Sequence, residues 1–165
     1  MECKENVKVG RGDIDFICIE DSKLKIIEVK KINPKNGYNF DTGTDPYIAR
    51  RKLKLQIENR VKKYLSGEIL NLLDNRPIIT EAEIYGVLFE RKEHGMTIHI
   101  YRVYIPSLRD DSIEKFYITI TYYYTNVSNY NFWEGILRNQ GIDGLIEILE
   151  RHSIKGSSKQ LELTI

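Results

Sequence analysis

The chain has 165 residues, of which 41% are hydrophobic and 30% are charged, and its formal net charge is +1. This composition is that of a globular domain with one hydrophobic core, and it excludes an intrinsically disordered chain. No run of 18 apolar residues is present, so we expect no membrane span.

The N-terminal segment, MECKENVKVG, is charged and has no apolar signal region, which predicts a protein that is not secreted. Cys3 and Cys18 have neither the spacing of a zinc site nor that of a disulfide framework. This spacing fits a reducing cytoplasm, with Cys18 as a small core residue and no assignment for Cys3.

The next segment predicts a β-hairpin. Residues 14–19 and 24–30 are rich in Ile and Val, and the polar tripeptide EDS lies between them. A turn centred on Asp21 and Ser22 sets the register, because opposed residues then have numbers that add up to 43.

In this register Asp15 lies opposite Glu28, and Asp13 lies opposite Lys30. Like charges that face each other destabilise a strand pair, and burying carboxylates adds a further cost. A divalent cation between Asp15 and Glu28 removes both costs, and hard oxygen ligands suit Mg²⁺ or Mn²⁺. A salt-bridge cluster at the surface of an edge hairpin is the alternative interpretation.

Residues 32–46 carry Pro, Gly and Asn without periodicity and predict a loop that is long enough either to need a functional reason or to be mobile. Asp45 and Pro46 then supply the N-cap and first residue of a helix of about 20 residues. Its apolar stripe is typical of a helix that packs on a sheet, and it consists of Ala49, Leu53, Ile57, Val61 and Tyr64.

Charge is distributed unevenly along the chain. Residues 23–64 hold nine Lys and three Arg against four acidic residues, a net charge of +8. A basic segment in a nearly neutral protein favours the binding of a polyanionic partner by one face of the molecule. A solvated, charged helix is the alternative.

The second half is mostly strand. Residues 79–92, 96–106 and 115–125 alternate and are rich in aromatic and β-branched side chains. Helices are predicted at about 130–139 and 142–152, broken at Gly141. The class is therefore α/β, a mixed central sheet flanked by helices, in a single domain over residues 1–165 with a strand-rich and helical part at 75–165. The tyrosines at 122–124 are predicted to lie in the core or at a subunit interface.

The hairpin resembles the PD-(D/E)XK nuclease superfamily. Asp15 in GDIDFI matches the first metal-binding aspartate of that family, and Glu28-Val29-Lys30 matches its acidic-x-Lys element. The resemblance covers residues 10–65. This segment is similar to small predicted endonucleases and, in layout, to archaeal Holliday junction resolvases. It implies a restriction-endonuclease-like core and a metal-dependent endonuclease that hydrolyses DNA.

The resemblance also implies roles for individual residues. Asp15, Glu28 and the Val29 carbonyl would hold Mg²⁺ or Mn²⁺, and Lys30 would orient the attacking water. Asp13 would hold a second metal or a metal-bound water. The basic helix would contact the nucleic acid through Arg50, Arg51, Lys52, Lys54, Gln56 and Arg60, with Gln56 and Arg60 near the site.

The family normally places a helix before this hairpin, whereas only twelve residues precede Asp13 here. We expect the C-terminal helices to take that place and bring Glu134 or Glu147 to the site. The alternatives are a catalytically silent module that binds nucleic acid or serves assembly, and the nuclease subunit of a larger complex. A homodimer is a further possible assembly.

Overall fold

The computed structural model describes residues 2–10, 12–32, 34–35, 39–40, 46–73, 77–106 and 117–162. These residues form two α-helices, α1 (Pro46–Leu65) and α2 (Tyr130–His152). They also form nine strands: β1 (Glu2–Val9), β2 (Gly12–Glu20), β3 (Lys23–Ile32), β4 (Pro34–Lys35), β5 (Asn39–Phe40), β6 (Glu81–Lys92), β7 (Gly95–Ile105), β8 (Tyr117–Thr125) and β9 (Ile154–Glu162).

Seven strands form one sheet in the order β1-β2-β3-β6-β7-β8-β9, and β4 pairs with β5 separately. Only the β3–β6 pair of the large sheet is parallel. α1 makes the crossover between these two strands, since parallel neighbours need a long connection. The prediction of an α/β fold with a mixed sheet is confirmed.

The β2–β3 hairpin has the predicted register. Asp21 and Ser22 form the two-residue turn, with φ angles of 48° and 65°, as a tight hairpin turn requires. The pairs run from Glu20–Lys23 to Phe16–Ile27, and the numbers in each pair add up to 43.

Helix α1 packs its apolar stripe on one face of the sheet, over β3 and β6. Gly86 of β6 lies beneath it, and a Cβ at this position would come within 2.5 Å of Ile57 Cδ1 and 2.9 Å of Leu53 Cγ. The missing side chain therefore permits the close approach of helix and strand. The predicted N-cap Asp45 and most of the 32–46 loop lie outside the described residues.

Helix α2 covers the opposite face, where Trp133, Leu145 and Leu149 are buried against β6 and β7 in a second core. The predicted break is confirmed, because Gly141 has a φ of 76° and a ψ of −177° inside the helix. This left-handed φ is accessible to glycine at little cost. The sheet thus lies between two helical layers.

The strands of the second half lie where their alternation predicts them. β6 and β7 form a hairpin in which Lys92 pairs with Gly95. Tyr123 of β8 is buried, in agreement with a core role for the tyrosine-rich segment. β8 is covered at its outer edge by β9.

The outermost strands, β1 and β9, were not predicted; Cys18 is buried as expected, but the expectation of no disulfide is wrong. Cys3 and Cys18 face each other across the β1–β2 pair and form a disulfide. Opposed positions on antiparallel strands bring two Cβ atoms within reach of one bond. The cysteines therefore no longer support the expectation of a reducing compartment.

Neither described helix contains a stretch that is both apolar and long enough to cross a membrane.

Candidate functional site

The candidate site lies where β2 and β3 separate. Pairing between them ends at Phe16–Ile27, one residue before Asp15 and Glu28. On the other side of β2, pairing with β1 is interrupted between Glu5–Phe16 and Val7–Ile14, next to Asn6, which has a φ of 53°. The Asp15 side chain lies in the gap between β2 and β3.

Asp15 Oδ2 accepts a hydrogen bond from the Val29 backbone N–H at 2.7 Å. The carboxylate thus replaces the strand partner that Val29 loses where the ladder ends. In an extended strand the N–H and C=O of one residue point to the same edge. The Val29 carbonyl therefore faces the gap between β2 and β3, on the side of Asp15.

Glu28 lies on the α1 face of β3 and is almost completely buried, with 1% of its side chain exposed. Arg60 Nε donates to its Oε1 at 2.9 Å, and Gln56 Nε2 donates to its Oε2 at 3.0 Å. Arg60 Nη2 also donates to the Asp13 backbone carbonyl at 3.1 Å. One buried guanidinium thus joins β2 and β3 beyond the point where they separate.

The two carboxyl groups act on each other. The pKa of Glu28 is raised to about 7, first by burial and then by the charge of Asp15 and a hydrogen-bonding contact with the Asp15 side chain. Arg60 opposes this rise but does not cancel it. Two carboxyl groups in contact, one of which takes up a proton near neutral pH, form a site that a cation can stabilise.

Lys30 and Asp13 lie nearby without the predicted contact. Lys30 is half-buried and shares the α1 face of β3 with Glu28, since side chains two residues apart lie on one face. Among the described residues it makes no hydrogen bond or ion pair. Asp13 is exposed and pairs with Lys8 of β1 instead of Lys30, because β2 and β3 have already separated.

The six predicted nucleic-acid contacts divide into three groups. Gln56 and Arg60 bind Glu28, as described above. Arg50 lies 4.0 Å from Glu90, and Lys54 lies 4.0 Å from Glu58. Arg51 and Lys52 are exposed, and they make no hydrogen bond or ion pair within the described chain.

A cavity of about 250 Å³ opens beside Asp15 on the α2 face of the sheet. Two ion pairs lie along it: Lys31 of β3 with Glu134 of α2 at 2.6 Å, and Glu5 of β1 with Arg138 of α2 at 2.8 Å. Helix α2 thus borders the hairpin on the face of the sheet opposite α1.

The two glutamates proposed from that part of the chain lie in different places. Glu134 lines the cavity beside Asp15. Glu147 is exposed and pairs with Arg151, at 2.5 Å.

The cavity also contains residues that the sequence analysis did not single out: Glu5, Asn6, Phe16, Lys31, Leu137 and Arg138. Phe16 and Lys31 could have been found from the sequence. They directly follow Asp15 and Lys30, and strand alternation places their side chains on the face of the sheet opposite to those two. Glu5 and Asn6 belong to a strand that the sequence analysis missed.

A hard cation at this site would be only partly enclosed by protein. Mg²⁺ is usually held by one or two carboxylates and keeps several waters, and Asp15, Glu28 and the Val29 carbonyl match that need. Within the described part of the chain, no group of three or more His, Cys, Asp and Glu side chains is placed to hold a metal ion. Arg60 competes with a cation for Glu28.

Comparison of the chain with protein-family models, with curated proteins and with solved structures finds no significant match. The residues themselves therefore carry the functional argument.

Proposed function

We propose that the protein is a metal-dependent endonuclease that hydrolyses DNA phosphodiester bonds and has the restriction-endonuclease-like core of the PD-(D/E)XK superfamily. One observation carries the proposal: the carboxyl groups of Asp15 and Glu28 meet at the point where two neighbouring strands separate. The order of β2, β3, α1 and a parallel β6 is compatible with that core.

Each residue has a chemical task in this proposal. Mg²⁺ or Mn²⁺ held by Asp15 and Glu28 would polarise the phosphoryl group and lower the pKa of a water. Lys30 orients the attacking water and stabilises the negative charge that develops on the phosphoryl oxygens. Asp13, exposed beside them, is the candidate for a second metal or a metal-bound water.

The reaction consumes one water molecule. The water oxygen forms a bond to phosphorus, and the bond from phosphorus to one ester oxygen breaks. The water gives up a proton, and the departing ester oxygen takes one up. The products are a phosphate monoester and a free hydroxyl, so no other reactant is needed.

The basic surface of α1 would hold the DNA backbone. Arg51 and Lys52 suit this task best because they are exposed. Contacts of this kind release counterions and are therefore salt-sensitive, and they position the nucleic acid without reading its sequence. Arg50 and Lys54 would exchange Glu90 and Glu58 for phosphate.

A catalytically silent module that binds nucleic acid or serves assembly is the second candidate, and a specific observation favours it. Both oxygens of Glu28 already accept hydrogen bonds, from Arg60 and Gln56. A buried carboxylate that is paired in this way is common as a purely structural element. This candidate predicts DNA binding without cleavage.

Incubation with supercoiled plasmid, single-stranded DNA and branched DNA separates the two candidates. The nuclease should cut in Mg²⁺ or Mn²⁺ but not in EDTA, and Glu28→Ala or Lys30→Ala should abolish cutting and leave binding largely intact. Arg151→Ala is the control because Arg151 is exposed and lies on α2, outside the basic surface of α1. Cutting that survives Glu28→Ala would rule out this site, and salt-sensitive binding without cutting would favour the silent module.

A further inference from the structure

We infer that the cavity beside Asp15 receives a single unpaired nucleotide, so that the substrate is a DNA strand that is single-stranded where it is cut. This inference rests on the proposed function and names the substrate class of the same site. It depends on the position, the size and the chemistry of the cavity.

The position links the cavity to the carboxylate pair. Asp15 and Val29 line the cavity, and Asp15 is also in contact with Glu28. A group that occupies the cavity therefore lies against a carboxylate that is proposed to act in hydrolysis. The cavity opens on the α2 face, whereas the Glu28 side chain lies on the α1 face, and Asp15, which is hydrogen-bonded to Val29 between the two strands, contacts both.

The size and the walls exclude a base pair. The cavity measures about 250 Å³, slightly below the roughly 300–1,000 Å³ of most small-molecule sites. Strand β1 bounds it on one side and α2 on the other, and the ion pairs Lys31–Glu134 and Glu5–Arg138 cross its rim. A space of this size holds one small ligand, so the nucleotide that enters it is one released from its base-pairing partner.

The walls offer such a nucleotide an aromatic ring and two cations, beside the three carboxylates of Glu5, Asp15 and Glu134. Phe16 offers an aromatic ring and Leu137 an apolar surface, and stacking on a ring binds any base because every base has a π-face. The side chains of Lys31 and Arg138 are 48% and 58% exposed. Both cations can exchange their carboxylate partners for the phosphates on either side of the nucleotide.

Binding measured in EDTA tests the inference without cleavage. The probes are a fluorescein-labelled 12-nucleotide single strand and the same strand in a duplex, followed by fluorescence anisotropy at low salt. Lys31→Ala and Arg138→Ala should each weaken single-strand binding about tenfold, as expected for loss of one charge-assisted hydrogen bond. Duplex binding should change much less.

Arg151→Ala is the matched control. Arg151 lies on the same helix, is exposed and is paired with a glutamate, but it does not line the cavity. Phe16→Leu should also weaken single-strand binding, whereas Phe16→Tyr keeps an aromatic ring and should bind as the wild type does. Circular dichroism checks that both variants fold. Equal effects of Arg138→Ala and Arg151→Ala, or equal losses for single strand and duplex, would overturn the inference.

Cleavage in Mg²⁺ separates this inference from the proposed function. The single strand should be cut at least about tenfold faster than the duplex, a preference that one charge-assisted contact is large enough to produce. Equal cutting of both would refute the cavity inference and leave the nuclease in place. If neither is cut, the proposed function fails, and the anisotropy results alone decide whether the cavity binds an unpaired nucleotide.

Discussion

The Glu28 carboxylate accepts a hydrogen bond from Arg60 Nε at 2.9 Å, both side chains are at most 7% exposed, and the pKa of Glu28 is nevertheless raised to about 7. A buried arginine normally favours the charged carboxylate. Here burial and the neighbouring Asp15 outweigh it. The hairpin therefore contains a carboxyl group that releases its proton near neutral pH.

The first prediction concerns stability as a function of pH. Since the folded protein binds the Glu28 proton more tightly than the unfolded chain, the free energy of unfolding should fall as pH rises from about 4.5 to about 7. The loss amounts to about 3 kcal/mol, at about 1.4 kcal/mol per pKa unit. Glu28→Gln mimics the protonated side chain and should remove this component.

Urea unfolding of the wild type and Glu28→Gln at pH 5 and pH 8 measures the effect. The free energy of unfolding of the variant, relative to that of the wild type, should be higher at pH 8 than at pH 5. The contributions of other titrating groups cancel because both proteins contain them. Glu147→Gln, at an exposed carboxylate, should show a constant difference. A constant difference for Glu28→Gln as well would contradict the raised pKa.

The second prediction concerns Arg60. Arg60→Met leaves the Glu28 carboxylate without its charge partner, which should cost about 3–5 kcal/mol at pH 8. The cost should be smaller at pH 5, where Glu28 is protonated, and smaller in a Glu28→Gln background. Thermal or urea unfolding of the four proteins of this double-mutant cycle measures the coupling. A cost at pH 5 equal to that at pH 8 would show that the charge pair does not stabilise the site.

The third prediction concerns the contact between α1 and β6. Gly86→Ala forces a methyl group against Ile57 and Leu53, and such overpacking should lower the free energy of unfolding by about 1–3 kcal/mol. Gly135→Ala is the control: nothing lies within 4 Å of the added Cβ, and the change should stabilise α2 by roughly 0.5–1 kcal/mol. Denaturant unfolding should therefore give changes of opposite sign.

The fourth prediction concerns the disulfide between Cys3 and Cys18. Its cysteines are 15 residues apart, and closing a loop of this length stabilises a protein by about 3 kcal/mol in the chain-entropy model. Unfolding with and without dithiothreitol should show a loss of that order for the wild type and none for Cys3→Ser. Two titratable thiols in the folded, non-reduced protein would show that the bond is not formed.

The elements that could be predicted from the sequence have strong local signals. β2, β3 and β6–β8 are rich in Ile, Val and Tyr, and the apolar stripe of α1 repeats at helical spacing. β1 and β9 lack such signals: ECKENVKV and IKGSSKQLE are mostly polar, as is common for strands at the edge of a sheet. Missing β1 also concealed the disulfide, which depends on Cys3 lying opposite Cys18.

The candidate site could be predicted only in part. The hairpin register placed Asp15 near Glu28, since it follows from a two-residue turn. The pairing of Glu28 with Arg60 depends on how α1 crosses the sheet, which the sequence does not specify. A signal was nevertheless present, because Arg60 lies three residues after Ile57 and next to Val61, within the stripe that packs on β3.

A Mn²⁺ titration followed by electron paramagnetic resonance at pH 6 and pH 8 tests most directly whether Asp15 and Glu28 hold a cation. We expect a Mn²⁺ site at Asp15 and Glu28 whose affinity rises with pH, since Glu28 must lose its proton to bind a cation. Asp15→Asn and Glu28→Gln should each abolish that site, whereas Glu147→Gln should leave it unchanged. Absence of Mn²⁺ binding at pH 8, or binding that survives both substitutions, would contradict the account.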